Sequence, residues 1–265
     1  MAIHIEDVKD ETLWFVATCS HVREGADQDR GGAVRKTWIE EMLPQGLQIK
    51  VALDDEQPIG FIHLLPIEHT AFGLTGHDLL TIPCLALKDA YHGQGIGRML
   101  MEAAEAAARA TDVKGLALIG HEWEDDFWFM RTDFFRHFGY QEADRRGNAV
   151  ILWKRFADDA EPPRFFSPAW TYEPVPGKVA FDAFWNRQCL TTAVEIHNVR
   201  EVCAEYGDRV LLREYDASDP AVRERYQIGR LLAVNGREIG WGYEAPREGL
   251  RAAIDEALGD CEVIG

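Results

Sequence analysis

No stretch of this 265-residue chain approaches the roughly 20 consecutive apolar residues that a membrane-spanning helix needs, so no membrane partner is expected. The opening MAIHIEDVKDE has neither the basic start nor the apolar core of a signal peptide, and the cytoplasm is the expected location. Basic residues are scarce: 28 Lys and Arg stand against 45 Asp and Glu, for a formal charge of −17. Nucleic acid is therefore not an expected partner, because phosphate contacts demand clustered basic side chains. A cationic small-molecule substrate suits this balance, and so does solubility alone. Cysteines number five, at 19, 84, 189, 203 and 261, an odd set without a CxxC pair. That pattern argues against a disulfide scaffold, and no clustered ligands for zinc accompany it, so no metal is expected. Cys19, Cys84 and Cys203 lie in apolar surroundings and read as inert core thiols. Internal repeats and low-complexity tracts are also missing.

What is present is a hydrophobic fraction of 46% and a charged fraction of 28%, ordinary for a soluble globular protein. In the first part, IHI (3–5) reads as a strand, and KDETLWFVATC and AVRKTWIEEML read as amphipathic helices. LQIKVAL and IGFIHLLP form a hairpin across DDEQP. LLTIPCLAL is a near-continuous apolar run suited to a central strand, with Pro83 marking a bulge or a place where regular pairing fails. A helix to about residue 110, a strand over 116–120, a helix over 127–138 and a strand over 149–154 follow, which together give a mixed α/β or α+β sheet. Then DDAEPPRFFSPAWTYEPVPG places five prolines in twenty residues, the composition of an extended linker or strap. From Lys178 a compact β-α-β-α-β-β-α string begins. The expected division is a first domain over 1–156, a proline-rich strap over 157–177 and a second domain over 178–265.

The stretch YHGQGIGRML (91–100) carries the strongest chemical signal. A Walker loop needs Gly-Lys-Ser/Thr, and Gly97 is followed by Arg98 and Met99; a dinucleotide fingerprint needs GxGxxG, and the spacing here is GxGxG. The physics survives both failures. Glycines at 93, 95 and 97 let the backbone take positive φ and approach a ligand closely. A helix starting near Ile96 aims its free amides and positive dipole end at whatever lies there. Ile96, Leu100, Ala103, Ala104 and Ala107 form one apolar face that anchors it. These facts alone leave two readings open, an anion cradle and a glycine turn entering an ordinary core helix.

The longer stretch LALKDAYHGQGIGRMLMEAA resembles the acetyl-CoA signature of the GNAT superfamily of N-acetyltransferases, an apolar strand, a short loop, Arg/Gln-x-x-Gly-x-Gly/Ala and a helix. Two helices and a hairpin before it, and FFRHFGY after it, extend the resemblance over residues 1 to 156. It implies a GNAT fold with a mixed central sheet and acetyl-CoA as co-substrate. The backbone amides of His92, Gly93, Gln94, Gly95, Ile96, Gly97 and Arg98 would hold the pyrophosphate. The backbone of Cys84, Leu85, Ala86 and Leu87 would pair with the pantetheine arm like an added strand, and an amide near Leu87 would polarise the thioester carbonyl. His92 departs from the usual Arg or Gln.

Direct transfer needs a neutral amine, and a lysine-like amine is neutral in only about one molecule in a few thousand at pH 7, so a base is required. His121 and Glu122, in the acidic stretch HEWEDD after the strand 116–120, are the candidates; the alternative is a solvated acidic loop. The family often protonates the leaving thiolate with a tyrosine four residues before its Gly-aromatic pair. Phe135 stands there, so Tyr140 or His137 would substitute, or solvent would serve. Asn, common earlier on that helix, is replaced by Trp128.

The second domain resembles a thioredoxin-like fold whose first helix begins at a cysteine, Cys189, where a helix N-terminus would activate a thiol. Thr192 stands where a resolving cysteine would be, and Gly229 stands where the fold places a cis proline. Cys189 is accordingly a monothiol or ligand contact, or else a remnant. Trp170, Tyr172 and Trp185 would line an interface or simply pack down. The primary expectation is an N-acetyltransferase acting on a small-molecule amine through a ternary complex, with a homodimer allowed. A non-catalytic acyl-CoA sensor is the alternative, and a thiol redox protein using Cys189 is the third.

Overall fold

The computed structural model describes residues 3–19, 25–122, 124 and 129–264. The chain divides into two compact units, one formed by residues 1–24 and 36–166, the other by 25–35 and 167–265. Residues 25–35, read from sequence as part of the first domain, thus group with the second unit.

In the first unit the elements run β1 (Ile3–Asp7), α1 (Asp10–Ala17), the end of α2 (Ala26–Met42), β2 (Gln48–Asp54), β3 (Gln57–Pro66), β4 (Leu74–Thr75), β5 (Leu79–Thr81) and β6 (Leu85–Leu87). After these come α3 (Ile96–Arg109), β7 (Gly115–His121), α4 (Thr132–Arg136), β8 (Gln141–Arg146), β9 (Ala149–Arg155) and β10 (Arg164–Phe165). The main sheet has the order β1-β2-β3-β5-β7-β9-β8, with β6 joined to β3 alone. All its pairs are antiparallel except β5 with β7. That parallel pair requires a crossover, and β6 and α3 form it.

Strand alternation sends one set of side chains to each face. On one face Ile62, Leu64, Leu116, Leu118, Val150 and Leu152 pack with Ile96, Leu100, Met101 and Ala104 of α3 and with Phe135 of α4. Fully burying an Ile or Leu of this kind contributes about 1.5–3 kcal/mol, so α3 is firmly seated while its N-terminus stays outside the core. On the other face Val51, Leu53, Phe61 and Leu65 meet Leu13, Phe15, Val16, Trp38 and Ile39 of α1 and α2. Ala117 and Ile151 of that face lie under Ile67 and Leu74.

LLTIPCLAL is two strands. β3 pairs Leu65 with Thr81 and Pro66 with Leu80, but Ile62 with Leu85, Phe61 with Ala86 and Gly60 with Leu87. The register slips by one residue between the two sets, around Pro83, whose missing N–H cannot continue a ladder. The helix expected over 127–138 is the short α4, and residues 125–128, with Trp128, lie outside the described residues. The strap is no uniform linker: Arg164 and Phe165 form a strand on β4 within the first unit.

The second unit contains β11 (Val179–Trp185), α5 (Leu190–Glu205), β12 (Val210–Asp216), α6 (Pro220–Tyr226), β13 (Leu231–Val234), β14 (Arg237–Ile239) and α7 (Arg247–Ile264). The sheet order is β12-β11-β13-β14, with β11 and β12 parallel and the remaining pairs antiparallel. One face, with Val179, Phe181, Ala183 and Trp185, is covered by Ile196, Val199 and Val202 of α5 and Leu250 and Ile254 of α7. Residues 25–35 pack beside α5: a Cβ on Gly31 would stand 2.6 Å from Val194 and 3.0 Å from Leu190, so only glycine fits there. On the other face Phe184 stacks on Tyr215 at 4.2 Å and meets Tyr226 and Trp170 edge-on. Strap residues 167–177 lie on this face. Ser167 N–H donates to Gln227 Oε1, Ala169 N–H to the Tyr226 carbonyl, and Arg213 to the Glu173 carbonyl.

Asp182 sits in this sheet with no exposed surface. Tyr215 OH donates to its Oδ1 at 3.2 Å and Arg213 Nε lies at 3.6 Å, while Oδ2 has no hydrogen-bond partner. Burial raises its pKa above the ordinary carboxylate value, a shift the Arg213 charge only partly opposes. A carboxyl whose folded pKa is raised is best tolerated below its unfolded pKa and costs stability as pH rises through the folded value. Asp182→Asn is therefore expected to raise the melting temperature at pH 7 by a few degrees, about 1 kcal/mol, with the gain vanishing near pH 3. Thermal unfolding at both pH values checks this.

Candidate functional site

The slip at Pro83 creates the site. Below it, β5 bridges β3 and β7, and Ile82 N–H still donates to the Ala117 carbonyl at 2.8 Å. Above it, β6 stays with β3 while β7 continues to pair with β9 as far as His121, and the sheet opens between β6 and β7. The bonds from His63 N–H to the Cys84 carbonyl and from Lys88 N–H to the Ile59 carbonyl use the even-numbered residues that flank β6. Antiparallel alternation therefore turns the backbone groups of Leu85 and Leu87 toward the open edge.

The chain then turns through Asp89–Tyr91 into the glycine loop. Tyr91 OH donates to Asp54 Oδ2 at 3.0 Å, and this bond raises the phenol pKa. His92 Nε2 lies 3.1 Å from the Leu87 carbonyl, and since a carbonyl only accepts, Nε2 carries the proton. Gln94 donates its side-chain amide back to the Ala90 carbonyl. Gly93 and Gly95 have φ of 75° and 80°, a region that costs an L-residue about 1–2 kcal/mol. Gly95 is the residue before α3, has no side-chain cap, and accepts the first helical bond from Met99. The N–H groups of Ile96, Gly97 and Arg98 consequently point out of the helix without intrahelical partners.

Opposite stands a wall from α4 and the residues before it. Phe134 approaches Gly97 so closely that a Cβ there would lie 3.3 Å from the ring. Arg98 lies over Phe138 at 5.5 Å. Loop, strand edge and wall enclose a cleft of about 700 Å³, lined by Leu85, Leu87, His92, Gly93, Gly95, Ile96, Gly97 and Arg98 on one side. Met130, Arg131, Asp133, Phe134, Phe135, His137 and Phe138 line the other. In a protein of charge −17 this lining carries Arg98 and Arg131 with two histidines against the single acid Asp133. A helix N-terminus, arginines and an apolar floor suit an elongated ligand that is anionic at one end.

Most of the loop and strand residues singled out from sequence meet here, but Cys84, Ala86 and Gln94 do not line the cleft. Cys84 and Ala86 are buried on the α1–α2 face by strand alternation, and Gln94 turns back on its own loop. The α4 wall was missed from sequence, although Phe134 and Phe138 at i, i+4 are a readable aromatic pair.

The catalytic candidates fare differently. Tyr140 is buried in the α3-side core against Phe135, its hydroxyl has no hydrogen-bond partner, and burial pushes its pKa well up. It does not reach the cleft. His137 lines the cleft, with Nδ1 2.6 Å from the Asp133 carbonyl. Phe135 is fully buried and lines the cleft floor. Glu122 is clamped by Arg145 at 2.6 Å and Arg136 at 2.9 Å, which hold its pKa down to about 2. A carboxylate so stabilised is a poor proton acceptor near neutrality. His121 ends β7, its N–H donating to the carbonyl of Met130, a cleft residue. Its side chain takes the face of Ala117 and Ile119, opposite α3, and burial lowers its pKa below 6.5. The ring is therefore neutral at pH 7 and able to take a proton. Trp123, Asp125 and Asp126 of the acidic stretch lie outside the described residues.

In the second unit Cys189 is half-buried immediately before α5. Its N–H donates to Asn186 Oδ1, while Thr192 Oγ1 donates to the Asn186 carbonyl at 2.6 Å and lies 3.1 Å from the Cys189 carbonyl. Cys203 is a core thiol whose pKa burial pushes up to about 12. Among the described residues no group of three or more His, Cys, Asp or Glu side chains could hold a metal ion, and no helix is long and apolar enough to cross a membrane.

Residues 45–142 match the family model described as an acetyltransferase (GNAT) domain, a stretch that contains β2 to α4 and the whole cleft. No curated protein matches the chain. Solved structures with similarity include the PaiA N-acetyltransferase of Thermoplasma acidophilum in complex with coenzyme A, at 18% identity and TM-score 0.44, covering 59% of this chain and 100% of that one. Another is the GNAT family N-acetyltransferase YhbS of Escherichia coli in complex with CoA, at 15% identity and TM-score 0.44, covering 62% and 89%. A third is a GNAT family acetyltransferase of Brucella melitensis in complex with acetyl-CoA, at 16% identity and TM-score 0.41, covering 61% and 92%.

Gly60 holds β6 in place from the β3 side. A Cβ there would lie 2.8 Å from the Ala86 carbonyl and 2.7 Å from Leu87 Cδ1. Gly60→Val must push β6 off its ladder, and a loss of about 1–3 kcal/mol is expected in urea unfolding.

Proposed function

We propose that the first unit is an acetyl-CoA-dependent N-acetyltransferase that moves an acetyl group to a primary amine by direct transfer in a ternary complex. The observation that carries this reading is the cleft itself. An open strand edge leads to outward-facing amides at a helix N-terminus, within the stretch that matches the acetyltransferase domain. Coenzyme A fits these features chemically. Its pyrophosphate suits the amides of Gly95 to Arg98 and the cationic lining. The amide groups of its pantetheine arm suit the Leu85–Leu87 edge as an added strand. Leu87 N–H, near the end of that edge, is the donor that would polarise the thioester carbonyl.

The amine enters between β6 and β7 from the face opposite α3, where His121 lies. Its nitrogen bonds to the thioester carbon, the C–S bond breaks, and the amine proton passes to the neutral His121 ring directly or through water. His121 thereby replaces Glu122 as the base. The released sulfur leaves as thiolate and takes a proton from solvent, since Phe135 carries none. A second reading, binding of acyl-CoA without transfer, draws on that missing proton donor and on the clamped Glu122. A thiol-release assay across an amine panel separates the two. The second unit is proposed to be thioredoxin-like, on the strength of its β-α-β-α-β-β-α order and its β12-β11-β13-β14 sheet. Thr192 at the place of a resolving cysteine disfavours a disulfide cycle there.

Calorimetry tests the coenzyme site. Gly95→Trp, which places a bulky side chain at a φ of 80° in front of the amides, should abolish acetyl-CoA binding; retained affinity would falsify the pyrophosphate assignment. The pH profile of kcat tests the base. Glu122→Gln should leave the acidic limb in place, whereas His121→Gln should lower kcat about 10²-fold or more and erase that limb. The reverse pattern would return the role to Glu122.

A further inference from the structure

The wall opposite the glycine loop runs away from the opening between β6 and β7. Its near end is at β7, where a Cβ on Gly120 would stand 3.0 Å from Thr132 Cγ2 at the start of α4. Two residues on, Phe134 reaches Gly97 in the first turn of α3. The far end is Phe138, just beyond α4, whose ring lies 5.2 Å from that of Phe134 and beneath the Arg98 guanidinium. Phe138 is half-exposed and Arg98 is exposed, and both line the cleft.

The position of Arg98 is unfavourable by charge alone. It stands in the first turn of α3, at the positive end of the helix dipole, which disfavours a cation. Among the described residues no carboxylate pairs with it, and its guanidinium rests on the Phe138 ring. A guanidinium has two flat faces and an edge of N–H donors. One face on Phe138 leaves the other face for a second planar group and the edge for an anion.

We propose that Phe138 and Arg98 form a stacking platform for the adenine base of coenzyme A, with the N–H edge of Arg98 turned to the phosphates. The inference rests on the coenzyme reading given above. The order of parts in the coenzyme follows the order along the cleft. The thioester and pantetheine arm take the β6 edge, the pyrophosphate takes the amides of the first α3 turn, and the nucleoside continues to Phe138 and Arg98. A purine offers a π-face that stacks on an aromatic ring or a guanidinium plane. The platform also selects the class of acyl donor. A pantetheine arm carried on a protein has one phosphate and no base, so it gains nothing at this end of the wall. The donor is thus a nucleotide thioester and not a carrier-protein thioester.

Calorimetry on the full chain tests this by comparing coenzyme A with 4′-phosphopantetheine, which has the arm and one phosphate but no base. Phe138→Leu removes the ring, and Arg98→Lys keeps the charge but removes the plane. For coenzyme A, Kd is expected to rise about tenfold in Phe138→Leu and about fivefold in Arg98→Lys, the scale of one weakened base stack. For 4′-phosphopantetheine, Kd should stay within about twofold of the parent in both variants. Unchanged coenzyme A affinity in Arg98→Lys shows that charge alone acts there and overturns the platform. Equal weakening of both ligands in either variant shows a merely structural packing of the wall and overturns it as well. Arg98 is exposed, so its variant decides the question even where Phe138→Leu does not fold. A parent protein that binds both ligands equally tightly keeps the acetyl-CoA reading and removes the platform. One that binds neither removes that reading, and the platform with it.

Discussion

Everything at the cleft depends on one slipped register. A sheet satisfies its backbone by pairing every strand on both sides, and an interior strand that loses a neighbour exposes a row of donors and acceptors. In this protein the break falls in the middle of the sheet, where β3 changes partner from β5 to β6 across Pro83. Proline cannot donate to a ladder, so the discontinuity is built into the chain. The outcome is an edge framed by a rigid scaffold: β6 is held from behind by β3 and Gly60, and β7 is held by β9. Such an edge offers an extended ligand the pairing that a missing strand would have made. It also places that ligand where α3 begins, because β6 and α3 are consecutive parts of the same crossover.

Charge at the site is arranged locally, against the trend of the whole molecule. A net charge of −17 would repel an anionic ligand at long range, but solvent screens such fields beyond about 10 Å. Within that distance the cleft presents Arg98, Arg131 and three outward helix amides. The neighbouring acids are neutralised in place. Glu122 and Glu142 form a network with Arg136 and Arg145 on α4 and β8. These are exposed pairs, and their value lies in geometry more than in stability. They tie the end of β7 to β8 and α4, and they leave the acidic carboxylates occupied.

The features legible in the sequence were those written in local pattern. The 3.6-residue spacing of Ile96, Leu100 and Ala104 and the glycines before them are enough to place α3 and its loop. In the second unit the β-α-β-α-β-β-α order expected from Lys178 onward is the order observed. Pro83 signalled the break, though not that it separates two strands with different partners. What escaped is long-range or polar. β8 is QEADRR, with no apolar alternation, and is a strand only because β9 pairs with it. The clamp on Glu122 comes from Arg145, 23 residues away. Tyr140 follows Phe135 closely in sequence, yet the reversal at Gly139, with φ of 83°, sends it into the core behind α4. The helix read from sequence begins at Ala33, and the place of residues 25–35 beside α5 turns on the lack of a side chain at Gly31.

Under the proposed transfer, Phe135 bears on only one of two proton movements, and their costs differ. A thiol has an ordinary pKa of about 8.5, so a thiolate at pH 7 lies only about 2 kcal/mol above its protonated form. Leaving unprotonated and collecting a proton from solvent afterwards is therefore a modest cost. An ammonium acceptor faces the larger one: with a pKa near 10.4 it must give up about 4–5 kcal/mol to become nucleophilic at pH 7. In the proposed reaction the demanding proton transfer is thus on the amine side, the side assigned there to the half-buried His121, whose pKa burial lowers. In that proposal, a packed aromatic in place of the acid removes the less costly of the two functions. Phe135 in return closes the floor of the cleft with a fully buried ring against Tyr140 and Phe134, and that packing holds α4 across from the glycine loop.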